Sequence, residues 1–141
     1  MQDVCARAMS GRDGRRYVRV LVVDDSVPCR RAASDVVRTT DGFELTGAAR
    51  SGSEAVLMTE RLAPDLVLLD VRMNGMSGFE AAREILRLRP ATVVVLVSAW
   101  GEETLGSGAR GCGAVATLRK RDLRPTVLNE LWAEHGPARV A

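Results

Sequence analysis

Short apolar runs and longer amphipathic segments alternate along the chain. The apolar runs predict five strands, at residues 18–23, 43–48, 66–69, 92–97 and 114–118. Segments with apolar residues at helical spacing predict five helices, at about residues 26–40, 51–63, 78–88, 102–110 and 122–134. Continuous apolar strands are typical of a sheet covered on both faces, and strands alternating with helices indicate right-handed crossovers. The pattern therefore predicts one α/β domain, a doubly wound five-stranded parallel sheet with helices on both faces.

Local signals mark the starts of several predicted helices. Ser26 is expected to cap the first helix, with Pro28 in its first turn, where a missing N–H costs nothing. Ser51 and Glu54 have the spacing of a capping box and are expected to open the second helix. Asp122 is expected to cap the last helix.

Length and charge favour an ordinary globular domain. The chain has 141 residues and a formal net charge of +2, too small to indicate nucleic-acid binding by itself. We expect residues 1–17 to form a disordered basic arm, residues 18–135 the domain and residues 136–141 a short tail; a basic docking arm is the alternative reading of the first segment. The arginines read as solvated at this end of the chain are Arg7, Arg12, Arg15 and Arg16 of the arm, together with Arg19 just inside the first predicted strand.

Cysteine usage and hydropathy exclude several classes of protein. Cys5, Cys29 and Cys112 are odd in number and lack CxxC spacing, which argues against a disulfide framework or a zinc site. No apolar run is long enough to span a bilayer, and residues 1–17 lack the apolar stretch of a signal peptide. The expected location is the cytoplasm.

Polar residues whose side chains could bind a ligand or react lie where the predicted strands end. The first strand ends at Asp24 and Asp25, the third at Asp70, the fourth at Ser98, and the fifth near Lys120. In open α/β sheets, ligands bind outside the carboxyl ends of the strands. Each residue alone has an ordinary structural explanation, such as a helix cap or a solvated charge. Their joint placement predicts a functional site.

Clustered carboxylates repel one another unless a cation lies among them. Mg²⁺ suits one or two carboxylates together with a backbone carbonyl, water and a phosphate oxygen. We expect Asp25 and Asp70 to bind Mg²⁺ directly and Asp24 to bind it directly or through water. The backbone carbonyl of Arg72 would be a further ligand.

A carboxylate can also accept a phosphoryl group and form an acyl phosphate. Phosphoryl transfer passes through a loose transition state, so catalysis consists mainly of positioning and charge neutralisation. Asp70 is the candidate acceptor. The Lys120 ammonium would neutralise charge, and the Ser98 hydroxyl could donate a hydrogen bond to a phosphoryl oxygen.

Four segments resemble the receiver domains of bacterial two-component response regulators. They are LVVDDS (21–26), PDLVLLDVRMNGMSGFEAAREI (64–85), LVSAW (96–100) and GAVATLRK (113–120). The resemblance covers about residues 18–134 and is closest to receivers that often carry a helix-turn-helix output domain. It implies a flavodoxin-like fold with strand order 2-1-3-4-5.

The resemblance also implies a signalling role without enzymatic turnover. In the family, an acid pair holds Mg²⁺, which corresponds to Asp24 and Asp25, and an aspartate corresponding to Asp70 takes phosphate from a phosphohistidine. The residues corresponding to Ser98 and Lys120 sense the phosphate. The implied partners are a sensor histidine kinase or phosphotransfer protein, a downstream effector or output domain, and a second copy of the chain. Direct contact of this domain with nucleic acid or membrane is not expected.

Three positions depart from the usual family pattern. Asn74 and Arg121 stand where proline is common, and Thr117 stands where an aromatic switch residue is usual. These changes leave the acceptor chemistry untouched. They put the usual coupling of the switch in doubt, so Ser98 would have to signal differently, through Trp100.

Other functions remain as alternatives. The chain could be the receiver part of a DNA-binding transcriptional regulator, or a stand-alone receiver. It could also be a protein-binding module that works without phosphorylation on the same fold. An aspartate-nucleophile phosphatase is disfavoured, because the first two acids are adjacent and no cap segment is recognisable.

Overall fold

The computed structural model describes residues 16–99 and 111–137. Its five strands form one parallel sheet in the order β2-β1-β3-β4-β5, which confirms the predicted topology. The strands are β1 Val18–Val23, β2 Phe43–Ala49, β3 Leu66–Asp70, β4 Val93–Ser98 and β5 Ala116–Arg119. Each lies within two residues of its predicted position. The sequence therefore located the sheet correctly.

Helices cover both faces of the sheet. The described helices are α1 Val27–Arg38, α2 Gly52–Leu62, α3 Gly78–Leu88 and α4 Pro125–His135. Alternate residues of each central strand face opposite cores. Leu21 packs in the same core as α2 and α3, whereas Val22 packs in the core that receives Val37 of α1 and Leu128 of α4. The continuous apolar runs thus reflect two-sided burial, as predicted.

Two of the three expected helix starts are confirmed, at Ser26 and Ser51, although the capping box expected at Ser51 is incomplete. Ser26 caps α1 as predicted, since its Oγ accepts the Cys29 N–H. At α2, Ser51 accepts the Glu54 N–H, but the Glu54 side chain accepts from Arg50 N–H and not from the cap itself, so the capping box is incomplete. A complete box, which the sequence analysis did not identify, opens α3 at Ser77.

The prediction that Asp122 caps the last helix is wrong. Asp122 ends a short 3₁₀ turn, Lys120–Asp122, and α4 begins three residues later at Pro125. Proline is favoured at the first helical position because its φ is fixed and its missing N–H has no partner to lose. Arg124 precedes it without a side-chain cap.

The prediction that Arg19 is solvated is also wrong. Arg19 lies in β1 and is half-buried at the amino edge of the sheet. Its main-chain N–H donates to Asp65 Oδ2, and its guanidinium donates to the carbonyls of Leu62 and Ala63 and to the Thr46 hydroxyl. We call these five residues the amino-edge network.

Several expectations fall outside the part of the chain that the structure describes. They are the basic arm up to residue 15, Trp100 and the predicted helix at 102–110. Within residues 16–99 and 111–137, no helix is both long enough and apolar enough to cross a membrane.

Candidate functional site

The predicted site residues gather at the carboxyl edge of the sheet. Asp24 follows β1, Asp70 is the last residue of β3, Ser98 is the last residue of β4, and Lys120 follows β5. β1 and β3 are neighbours, and β4 and β5 continue the sheet beside them. The parallel topology therefore brings residues far apart in sequence to one edge.

Three carboxylates form the centre of the site. Asp24, Asp25 and Asp70 each offer an oxygen, and these oxygens lie within 4.8 Å of one another. Asp24 and Asp70 are each only 5% exposed, whereas Asp25 is exposed. Two buried carboxylates beside a third concentrate negative charge where water screens it poorly.

Lys120 partly neutralises this charge. Its Nζ lies 2.9 Å from Asp24 Oδ2 and 3.4 Å from Asp70 Oδ1, and its side chain is 24% exposed. Lys120 is the only lysine among the 20 lysine and arginine residues of the sequence. An ammonium is a compact point charge that fits between two carboxylates, whereas a guanidinium is a broad planar fork.

Burial and neighbouring charges together shift the pKa of Asp70. Burial, the largest cause, and the charge of Asp24 raise this pKa, Lys120 lowers it, and the net result is a pKa of about 6. Burial alone would lower the pKa of Lys120, but the hydrogen bond to Asp24 and the charges of Asp70 and Asp24 outweigh it, so that pKa is raised. Lys120 therefore stays charged, whereas Asp70 ionises less readily than an ordinary aspartate.

Asp24 is held from several directions. Its Oδ1 accepts the Ser26 N–H at 3.0 Å, and its backbone carbonyl accepts from Arg30 Nη1 at 2.9 Å. Oδ2 is left for Lys120. Sequence reasoning missed both supports. The spacing of Asp24 and Ser26 is that of an Asx turn and could have suggested the first, whereas nothing local marks Arg30.

Asp25 contacts the loop that follows β3. The Asn74 N–H donates to Asp25 Oδ2 at 3.3 Å, so the exposed acid touches the segment between Asp70 and α3. Arg72, whose carbonyl was predicted to bind metal, lies in this loop, and its side chain is exposed. The structure thus brings the loop and the acid pair together.

The predicted switch residues lie on the neighbouring strands. Ser98 is 1% exposed and pairs with Arg119 in the β4–β5 register. Thr117 is half-buried on β5, opposite Leu96 and three residues before Lys120. Trp100 lies outside the described residues.

The donor set fits a magnesium ion. The acid cluster offers only hard oxygen ligands, which Mg²⁺ prefers, and it carries more negative charge than Lys120 can balance. Asp24, Asp25 and Asp70 are the residues that would hold the ion.

Sequence comparison identifies relatives that are named as response regulators and chemotaxis proteins. The model for "Response regulator receiver domain" matches residues 20–131. "Response regulator GacA" of Pseudomonas protegens is 38% identical over 103 residues, which are 73% of this chain and 48% of the relative. "Chemotaxis protein CheY" of Thermotoga maritima is 36% identical over 96 residues, covering 68% of this chain and 79% of the relative. The chain thus spans about half the length of the GacA relative that it matches.

Comparison with solved structures identifies the same kind of protein as the sequence comparison. The CheX-CheY-BeF3-Mg+2 complex from Borrelia burgdorferi contains a chain that is 28% identical, with a TM-score of 0.76. The likeness covers 88% of this chain and 92% of the other. Since the family model matches most of the chain and the fold agrees, the chain belongs to the response regulator receiver domains of two-component systems.

Proposed function

We propose that this receiver domain accepts a phosphoryl group on Asp70 in the presence of Mg²⁺ and thereby switches its contacts with a partner. The observation that carries the proposal is the cluster of Asp24, Asp25 and Asp70 with Lys120 between Asp24 and Asp70. This arrangement supplies a nucleophile, a metal-binding acid set and a fixed positive charge at one place.

The proposed donor is a phosphohistidine of a sensor histidine kinase or phosphotransfer protein. A carboxylate oxygen of Asp70 forms a bond to phosphorus while the P–N bond of the donor breaks. The nitrogen keeps the electron pair, and the ring leaves as neutral imidazole with the proton carried by its other nitrogen. The pKa of Asp70, about 6, leaves most of this carboxyl ionised and able to react at pH 7.

Each neighbouring residue has a proposed role in this transfer. Asp24, Asp25 and Asp70 would hold Mg²⁺ together with the Arg72 carbonyl, and bound Mg²⁺ would neutralise charge on the phosphoryl oxygens. The Lys120 ammonium lies 3.4 Å from Asp70 Oδ1 and would pair with the new phosphate. The buried Ser98 hydroxyl would donate to a phosphoryl oxygen.

The phosphate would then change an interaction surface. Ser98 is the proposed sensor, and Thr117 and Trp100 are the proposed relay to the face that includes β5 and α4. The predicted helix at 102–110 would complete that face. A shift from about 1:99 to 99:1 between two states needs roughly 5.5 kcal/mol of differential stabilisation. Pairing of a phosphate of nearly two negative charges with Lys120 and Mg²⁺ is a suitable source.

The proposed setting is cytoplasmic, with residues 18–135 as the receiver unit. An effector protein, an output domain or a second copy would read the switched face. The B. burgdorferi neighbour is named as a complex with CheX, BeF3 and Mg²⁺, which supports metal-dependent partner binding on this fold. The match covers only 48% of the GacA relative, so that protein contains further sequence beside the segment that resembles this chain, as expected if an output domain is attached there.

Phosphoryl uptake tests the proposal directly. The protein is incubated with acetyl phosphate and Mg²⁺, and its mass is measured. We expect a gain of one phosphoryl group in the wild type and none in Asp70→Asn. Asp65→Asn, which removes a carboxylate from the opposite edge of the sheet, is the matched control and should gain the group. Equal labelling of wild type and Asp70→Asn would contradict the assignment.

A second candidate is a binding module that works without phosphorylation. Thr117, half-buried on β5, favours this possibility because no aromatic side chain stands at that position to report on the site. This reading expects partner affinity, or self-association measured by sedimentation, to be unchanged by beryllofluoride and Mg²⁺. A clear change on adding them would exclude it.

A further inference from the structure

Gly78, the first residue of α3, lies against the backbone of the proposed acceptor. Its N–H donates to the Val71 carbonyl at 2.9 Å, which closes the loop between β3 and α3. A β-carbon at position 78 would lie 2.3 Å from the Asp70 carbonyl oxygen and 2.8 Å from Val71 Cα. Real β-carbons essentially never come within 3.0 Å of such atoms, so a side chain here requires the backbone to move.

The helix itself gives no reason for glycine at this position. The described glycines with positive φ are Gly42, Gly75 and Gly113, and Gly78 is not among them. Alanine has a higher intrinsic helix propensity than glycine. The requirement at position 78 is therefore the close approach of α3 to the end of β3.

The contact falls between two proposed metal ligands. The Asp70–Val71 peptide joins the Asp70 residue, whose carboxylate is one ligand, to Val71, whose next neighbour Arg72 offers its carbonyl as another. Clearing a β-carbon at position 78 would displace this peptide or α3 by roughly 0.7 Å. Mg²⁺ demands nearly ideal octahedral geometry, whereas Ca²⁺ tolerates flexible geometry.

We infer that Gly78 is a positioning residue that sets the Asp70–Val71 peptide so that the ligands suit Mg²⁺ in preference to Ca²⁺. The inference rests on the proposed function, because it takes Asp70 and Arg72 as metal ligands. It assigns to the start of α3 a role in metal selection that is separate from the stability of the helix.

A second glycine gives a milder version of the same contact. A β-carbon at Gly52, the first residue of α2, would lie 3.1 Å from both Cβ and the carbonyl oxygen of Met76, in the same loop. This spacing is tight but can be relieved by a few tenths of an ångström. At the exposed Gly111, a β-carbon would meet no atom of the described residues within 4 Å. The three positions form a graded series.

The experiment compares Gly78→Ala, Gly52→Ala and Gly111→Ala with the wild type. The dissociation constants (Kd) of Mg²⁺ and Ca²⁺ are measured by NMR titration of the folded protein, and stability is measured separately by urea unfolding. For Gly78→Ala we expect the Kd of Mg²⁺ to rise about tenfold and that of Ca²⁺ to rise by clearly less. A misplacement of about 1 Å can cost an enzyme about 100-fold in rate, and the displacement expected here is smaller. Gly52→Ala should show a smaller change of the same kind, and Gly111→Ala none.

The outcomes separate positioning from mere stability. If Gly78→Ala lowers stability but leaves the ratio of the two constants unchanged, the inference is overturned. If that variant does not fold, Gly52→Ala decides, and an unchanged ratio there overturns the inference as well. If the wild type itself binds no Mg²⁺, the proposed function fails first and the inference fails with it.

Discussion

The two edges of the sheet use charge in opposite ways. At the carboxyl edge, Lys120 faces two buried carboxylates, with Asp25 beside them, so negative charge is in excess. At the amino edge, Arg19 is surrounded by matched acceptors, with the Leu62 carbonyl at 2.6 Å and the Thr46 hydroxyl at 2.7 Å. The carboxyl edge therefore favours binding of a cation, whereas the Arg19 guanidinium at the amino edge is already paired with protein acceptors.

The comparison separates electrostatics that stabilise the fold from electrostatics that serve a ligand. The amino-edge network closes the end of α2, where Ala63 adopts a left-handed conformation with φ of 47° and its carbonyl accepts from Arg19. The polar groups of this network form hydrogen bonds with one another in the folded state. At the carboxyl edge, folding instead raises the pKa of Asp70 to about 6, which means that the ionised form is destabilised.

The largest expected effect on stability lies at the amino edge. Arg19→Met should lower the free energy of unfolding by about 2–4 kcal/mol, because it leaves carbonyls of partly buried residues without their donor. Phosphoryl uptake by the folded variant should stay within about twofold of the wild type, since Arg19 is remote from Asp70. Urea unfolding and mass spectrometry measure the two quantities.

Arg38→Met is the matched control for this change. Arg38 is 61% exposed and pairs with Asp35 on the surface of α1, so its loss should change stability little. If both variants lower the free energy of unfolding equally, the amino-edge network contributes no more to stability than a surface ion pair.

Next in size is a stabilisation at the carboxyl edge. Asp70→Asn should raise the unfolding free energy of metal-free protein by about 1–3 kcal/mol at pH 7.5, because the wild type there carries an unfavourable buried charge. The sign follows from a folded-state pKa above the ordinary 3.8. Below pH 3.8, Asp70 is protonated in both the folded and the unfolded wild type, and the wild type has its full stability. It loses stability as pH rises through the folded-state pKa of about 6, because ionised Asp70 is destabilised by folding.

The difference between Asp70→Asn and the wild type should therefore grow as pH rises from 4 toward 6 and level off above. Urea unfolding in EDTA at several pH values measures it. Asp65→Asn, which alters the acceptor for Arg19 N–H, should raise stability at no pH. A wild type more stable than Asp70→Asn at pH 7.5 without metal would contradict the conclusion that folding destabilises the ionised Asp70 carboxylate.

A smaller effect is expected from metal binding. Mg²⁺ at ten times its Kd should stabilise the wild type by about 1.4 kcal/mol, because it binds the folded state and supplies the missing positive charge. The gain should shrink in Asp25→Asn, which removes an oxygen anion from the cluster. Asp35→Asn, on the exposed surface of α1, should keep the full gain. Thermal unfolding with and without Mg²⁺ gives the measurement.

The smallest expected effect tests whether Lys120 competes with the metal. Lys120→Met should lower the Kd of Mg²⁺ by about threefold, because one positive charge near the acids is removed. Phosphoryl uptake should nevertheless fall, since the charge facing Asp70 is lost. Lys120→Arg should not restore uptake fully, because a planar guanidinium does not fit the place of an ammonium. A weaker affinity for Mg²⁺ in Lys120→Met would rule out competition.

Most of the architecture follows from signals between near neighbours in the sequence. Apolar runs of β-branched and leucine residues located the five strands, and the Ser26 cap placed the start of α1, because such signals act between near neighbours in the chain. The order of strands also made the meeting of Asp24, Asp70 and Lys120 predictable, since parallel strands end at a common edge. Asp122 carries a local capping signal that the fold does not use, since Pro125 sets the helix start.

The role of each charged residue depends on contacts between segments that are distant in the sequence. Arg19 looked solvated beside a basic arm, yet its N–H reaches Asp65, 46 residues away, and Asn74 reaches Asp25 across 49 residues. Burial of Asp70, its raised pKa and the fit of Gly78 against its backbone all depend on which surfaces pack together. Periodicity and caps are properties of short segments, whereas desolvation and close contact arise only when distant segments meet.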